Sequence, residues 1–147
     1  VDALTESRRR FVFGSAAADD IRGGDAGDRL FGGQGDDVLG GGSGADYMEG
    51  GAGHDSYRAG DGDLIFDVDG NGHVRFGDLV LGIAYRHEGE VDYLDHSGEL
   101  TYSLDESHGS LTVTRRGDKA SLSIQGFDAH PFHQRGDVQP ICVARES

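Results

Sequence analysis

The chain has no tryptophan, two prolines and one cysteine among its 147 residues. The lone Cys142 cannot form an internal disulfide, which excludes a disulfide scaffold. Proline this scarce, beside glycines of the wrong period, excludes a collagen-like helix. Nowhere do 18 apolar residues follow one another, so no membrane-spanning helix is expected. Basic residues are few: 13 Lys and Arg stand against 27 Asp and Glu, a net charge of −14. That imbalance argues against nucleic acid as a partner and against a basic patch on an anionic membrane. No feature points to a membrane or host receptor. The N-terminus carries no apolar stretch behind basic residues, so no cleavable leader is expected; Val1 in place of Met fits a piece of a longer protein. Catalytic signatures are missing too: the chain contains no His-Glu-x-x-His, no Gly-x-Ser-x-Gly and no Walker loop. A non-catalytic module is the expectation.

What the chain does have is glycine, 26 residues, and aspartate, 20, both concentrated in one stretch. Residues 14–72 hold 18 of the glycines, 12 Asp and one Glu against three Arg, a local charge near −10. Such low hydropathy and high charge belong to chains that cannot fold by burial alone. Residues 73–128 read differently, alternating apolar and polar side chains as half-buried strands do. Strands are predicted at His73–Phe76, Leu100–Leu104, Leu111–Thr114 and Leu122–Ile124. The turn-formers Ser97-Gly98, His108-Gly109 and Gly117-Asp118 punctuate them, giving an antiparallel sheet or sandwich.

Three features of period nine govern the first stretch. Glycine pairs begin at 23, 32, 41 and 50, and Asp recurs at 19, 28, 37, 46 and 55. A large apolar residue follows each Asp by two: Ile21, Leu30, Leu39, Met48 and Tyr57. The five units run 14–22, 23–31, 32–40, 41–49 and 50–58, and the last three fit Gly-Gly-x-Gly-x-Asp-x-apolar-x throughout. This is the nonapeptide signature of a calcium-binding parallel β-helix. Six Gly-rich residues make a turn and three make a short strand whose apolar residue points inward. Two units then complete one coil, so unit n stacks on unit n+2. Asp19, Asp37 and Asp55 line one edge, and Asp28 and Asp46 the other. Gly60-Asp61-Gly62-Asp63-Leu64-Ile65 is a sixth, shortened unit that sets Asp63 opposite Asp46.

Stacked carboxylates and turn carbonyls make an all-oxygen gap. Ca²⁺ accepts irregular shells of six to eight oxygens, whereas Mg²⁺ demands a tight octahedron. Zn²⁺ would want Cys or His, which the repeat does not supply. About four ions, or more, are expected, between Asp19 and Asp37, Asp37 and Asp55, Asp28 and Asp46, and Asp46 and Asp63. Neutralising the edges makes binding energy part of folding energy. Four sites of Kd about 0.1 mM, at roughly tenfold higher calcium, would add about 1.4 kcal/mol each and about 6 in all.

Residues 14–66 resemble the RTX, or haemolysin-type calcium-binding, repeats of bacterial proteins exported by type I secretion. Pore-forming toxins, lipases, proteases and adhesins carry such repeats. The resemblance implies an all-β chain, a right-handed parallel β-roll followed by an antiparallel β capping region. It implies calcium held by Asp19, Asp28, Asp37, Asp46, Asp55 and Asp63. Backbone carbonyls at the turn glycines Gly24, Gly33, Gly35, Gly42, Gly44, Gly51, Gly53 and Gly62 are expected to complete the shells. It implies secretion to the cell exterior, with the type I machinery as a partner of the unfolded chain. Unit one, Gly14-Ser15-Ala16-Ala17-Ala18, lacks the second and fourth glycines, and unit two has Ala26 in place of one, so their sites are expected to be weaker. Gly126-Phe127 with Gly136-Asp137-Val138 is similar to the family's ending, though Val138-Gln139-Pro140-Ile141 departs from it. The division expected is a flank at 1–13, the roll at 14–66, a cap at 67–128 that nucleates folding, and a tail at 129–147 holding a candidate secretion signal.

Other motifs carry less. Asp67, Asp69 and Asn71 alternate like the start of an EF-hand loop, but position twelve is Asp78 rather than Glu. They are retained as candidate calcium ligands beside the plainer reading, an acidic turn. His130 and His133 flank Pro131, which breaks any shared helix face. Three other roles remain open, a polysaccharide- or surface-binding targeting module, an adhesin segment, and an enzyme with an unrecognised site within residues 73–128. The first would need a cationic or aromatic face, against which the charge near −10 of residues 14–72 argues.

Overall fold

The structure, a computed structural model, describes residues 8–67, 72–87, 89, 91–105, 107–125 and 138–142. Among the described residues every regular element is a strand. In chain order these are β1 (Phe11–Phe13), β2 (Asp20–Arg22), β3 (Arg29–Gln34), β4 (Val38–Gly40), β5 (Tyr47–Ala52), β6 (Asp55–Ala59), β7 (Leu64–Phe66) and β8 (Gly72–Phe76). Then follow β9 (Leu79–Val80), β10 (Ile83–His87), β11 (Tyr93–Asp95), β12 (Leu100–Asp105), β13 (Ser110–Arg115), β14 (Ser121–Gln125) and β15 (Val138–Cys142).

The first eight strands wind as a parallel β-roll. Odd-numbered strands β1-β3-β5-β7 stack on one side and even-numbered β2-β4-β6-β8 on the other, each pair parallel. Arg29 lies opposite Tyr47 and Val38 opposite Ser56, so consecutive coils are 18 residues apart. Eighth-position residues fill the interior in two columns. Val12, Leu30, Met48 and Ile65 form one, and Ile21, Leu39, Tyr57 and Val74 the other. Leu30, Leu39, Met48 and Ile65 are fully buried. Each such side chain contributes about 1.5–3 kcal/mol.

Two elements differ from the sequence reading. Strand β1 pairs with β3, so the roll begins at Phe11, ahead of the first repeat glycine. Strand β8 is a further parallel rung on β6 and pairs antiparallel with β9 on its other side, in the sheet of the roll rather than in the meander of β10 to β14. The cause is a step of 17 rather than 18, which sets Gly72 opposite Asp55 just as it sets Leu64 opposite Tyr47.

The cap extends the roll without a break. Strand β14 pairs parallel with β7, aligning Ile124 with Ile65. From there β14-β13-β12-β11-β10 form an antiparallel meander, and β15 closes on β10. The turns expected at Ser97-Gly98, His108-Gly109 and Gly117-Asp118 lie between these strands. Leu100, Tyr102, Leu111, Val113 and Leu122 are buried beneath them.

Candidate metal centre

Each repeat aspartate begins as a backbone strap. In one column, Arg10 N–H donates to Asp28 Oδ1 at 2.6 Å, Asp28 N–H to Asp46 Oδ1 at 2.7 Å, and Asp46 N–H to Asp63 Oδ1 at 2.9 Å. In the other, Asp19 N–H donates to Asp37 Oδ1 at 2.8 Å and Asp37 N–H to Asp55 Oδ1 at 3.0 Å. The columns therefore pair as the spacing predicts, Asp63 with Asp46 included. Asp28, Asp37, Asp46, Asp55 and Asp63 are at most 2% exposed, a burial an ionised carboxylate resists unless compensated. Asp19, at the open end, is half-buried.

The second carboxylate oxygen separates the units. Where the turn departs from the consensus, a second-position or adjoining N–H satisfies it. Ser15 N–H reaches Asp19 Oδ2 at 2.6 Å, Gly24 N–H reaches Asp28 Oδ2 at 2.6 Å, and Gly60 N–H reaches Asp63 Oδ2 at 2.7 Å. In the consensus units three and four, Gly33, Gly35, Gly42 and Gly44 take φ of +98° to +113°. There Asp37 Oδ2 and Asp46 Oδ2 are buried and accept no hydrogen bond among the described residues. The left-handed turn glycines thus coincide with carboxylate oxygens left for something else. A donorless buried charge costs several kcal/mol, and an oxygen-seeking cation relieves it.

The turns supply further oxygens. Gly24 O accepts Ser43 N–H at 2.9 Å and Ser15 O accepts Gln34 N–H at 3.1 Å, each with a second lone pair to spare. A Cβ at Gly42 would run into Gly24 O, and one at Gly51 into Gly33 O, so successive turns stack too closely for a side chain. Among the described residues no three His, Cys, Asp or Glu side chains converge. A shell here must therefore draw on carbonyls as well as carboxylates, which suits Ca²⁺ and not Zn²⁺. Burial pushes Asp63 up to about 6, against the N–H groups of Gly60 and Asp46 that pull it down. Burial also raises Asp46, and the carboxylate of Asp28 adds to this.

Of the EF-hand-like stretch, the structure describes Asp67 and residues 72 to 78. Residues 72–76 run as strand β8, so Asp78 falls in the next turn, far along the chain from Asp67. Asp67 is buried, with its N–H donating to Gln125 O at 3.2 Å, while Asp69 and Asn71 lie outside the described residues. The same holds for the tail at 129–147, apart from the backbone of β15. Sequence reading missed Arg10, whose N–H occupies the place of a repeat aspartate in the Asp28 column. Its signal was present: Arg10 precedes Asp19 by nine, and Val12 precedes Ile21 by nine.

Residues 13–48 and 41–63 match the family model of the RTX calcium-binding nonapeptide repeat, in four copies. These are calcium-binding repeats, and Ca²⁺ is the cofactor they take. Among solved structures, the chain is similar to the solution structure of the AlgE6R3 subunit from the Azotobacter vinelandii mannuronan C5-epimerase. The two are 24% identical, with 84% of this chain and 75% of that one covered and a TM-score of 0.54, a likeness of fold. No curated protein matches the chain in sequence.

Proposed function

We propose that this chain, an RTX nonapeptide-repeat protein by its residues 13–63, is a calcium-folded, non-catalytic module that carries a larger bacterial protein through type I secretion and folds it outside the cell. The parent would be a toxin, a lipase, a protease or a similar exported protein. The observation behind this reading is the pair of buried carboxylate oxygens without donors at Asp37 and Asp46. Ligands would come from Asp19, Asp28, Asp37, Asp46, Asp55 and Asp63, with carbonyls of the turn glycines between them. In a low-calcium cytosol the roll stays open and threadable; outside, binding energy closes it. Circular dichroism during a calcium titration, with magnesium as control, tests the reading. A β-rich signal should emerge with calcium and not with magnesium. A chain already β-rich in chelator would overturn it.

A second reading, a module that holds an extracellular protein against a polysaccharide, is favoured by one observation. The charge near −10 of residues 14–72 argues against a cationic face, yet register sets the exposed Arg22, Arg58 and Arg75 in one outward column. Sixth-position aspartates point into the gaps between coils, whereas arginines at the ninth position point outward. The likeness to a subunit of an enzyme named for mannuronan is in keeping with it.

A further inference from the structure

On the outer face of β2-β4-β6-β8, register aligns Arg22, Gly40, Arg58 and Arg75 in a single column along the roll axis. All three arginines are exposed. Arg58 and Arg75 sit directly opposite each other, and neither forms an ion pair or side-chain hydrogen bond among the described residues. Like charges so placed weaken a sheet, so the pairing is not explained by stability. Arg22 is forked by Asp20 at 3.1 and 3.2 Å in a solvent-exposed pair of little strength, and the same carboxylate also lies in the field of Arg58.

Gly40 adds an independent observation. Its φ is not in the left-handed region, and a Cβ there would meet only Arg58 Cβ, at 3.9 Å. Neither backbone nor packing requires glycine, and its bare position leaves a notch between two cationic rungs. The neighbouring outward column, Asp20, Val38, Ser56 and His73, contains one carboxylate. This is a cationic stripe on a chain of net charge −14.

We infer that the column Arg22–Gly40–Arg58–Arg75 binds a linear acidic polysaccharide, with sugar carboxylates on the guanidinium groups and the sugar backbone in the notch at Gly40. The inference rests on the second reading above. Rungs of a sheet are about 4.8 Å apart, so a polymer laid along the axis meets guanidinium groups one rung or two apart. Arginine forks hold carboxylates bidentately. Duplex DNA, with a charge about every 1.7 Å, would instead press its phosphates against the acidic turns on either side.

Isothermal calorimetry on the calcium-loaded chain tests this, using oligogalacturonates too short to gel, with dextran oligomers and single-stranded oligo-dT as controls. The wild type should bind the oligogalacturonate, weaken as salt rises, and ignore dextran. Arg58→Gln/Arg75→Gln should weaken binding about tenfold per arginine, the size of a charge-assisted hydrogen bond. Gly40→Leu, which fills the notch, should weaken it as well. Arg29→Gln, which removes a cation between the Phe11 and Tyr47 rings on the opposite sheet, should not. The calcium midpoint of each variant, read by circular dichroism, confirms that it folds. Unchanged affinity in the double variant, loss in Arg29→Gln instead, or equal binding of oligo-dT would overturn the site. No binding of any oligosaccharide by the wild type would overturn the targeting reading itself.

Discussion

Asp37 and Asp25 are both aspartates of the repeat, yet they do different work. Asp37 holds Asp19 N–H with one oxygen and buries the other without a donor, whereas Asp25 is exposed. Asp37→Ala strands the Asp19 backbone donor, a loss of about 1–3 kcal/mol before any effect on the ion it is proposed to hold. Its calcium midpoint should rise severalfold, and that of Asp25→Ala should stay at the wild-type value; equal shifts in a titration would undo the register. Glycines divide in the same way. Gly51 takes φ +99° and stacks on Gly33 O, so Gly51→Ala should cost about 1–2 kcal/mol for the left-handed backbone alone and raise the calcium midpoint further. Gly40→Ala, free of both constraints, should leave that midpoint unchanged or slightly lower. The pairing of these aspartates was legible because period nine fixes which residues share an edge. Which oxygens lack a donor was not, since that depends on turn dihedrals two and four residues earlier.

Between elements, the decisive contact is β14 on β7. Gly62 N–H donates to Ser121 O at 2.7 Å and Ser123 N–H to Asp63 O at 2.9 Å, so the last repeat aspartate shares its peptide with the cap. Ile124, 4% exposed, stands next after Ile65 in the line of interior side chains. Ile124→Ala should therefore cost about 2–5 kcal/mol. Its melting temperature should fall even with calcium saturating, and its calcium midpoint should rise. A variant that melts lower with an unaltered midpoint would mean that cap and roll fold independently. Alternation located β12, β13 and β14 from sequence, but it could not reveal that one of them pairs with the roll. Ser123 lies opposite Leu64, some 59 positions earlier, and no local pattern records a pairing at that distance. Strand β8 was legible only in part: His73–Phe76 does pair antiparallel with β9, but its other partner, β6, is parallel and set by a coil shortened to 17 residues.

For the molecule as a whole, the proposed ligands set protons and calcium in competition for the same oxygens, and the competition has a sign. Burial lifts Asp63 from 3.8 to about 6 in the folded chain, and Asp46 is lifted too. A carboxyl whose folded value is raised contributes stability that is complete below the unfolded value and lost as pH climbs through the folded one. In chelator, then, the roll should hold more β structure near pH 5 than near pH 7.5. Protonation there also relieves part of the repulsion within a chain of charge −14. With calcium the order inverts, because ligands must lose their protons to bind, and the calcium midpoint should drop as pH rises through about 6. Circular dichroism at both pH values, with and without calcium, gives four signals whose ordering decides the matter. A metal-free chain that gained structure with rising pH would show that these carboxylates are compensated within the protein. The charge stacked along the roll edges would then need no cation to balance it.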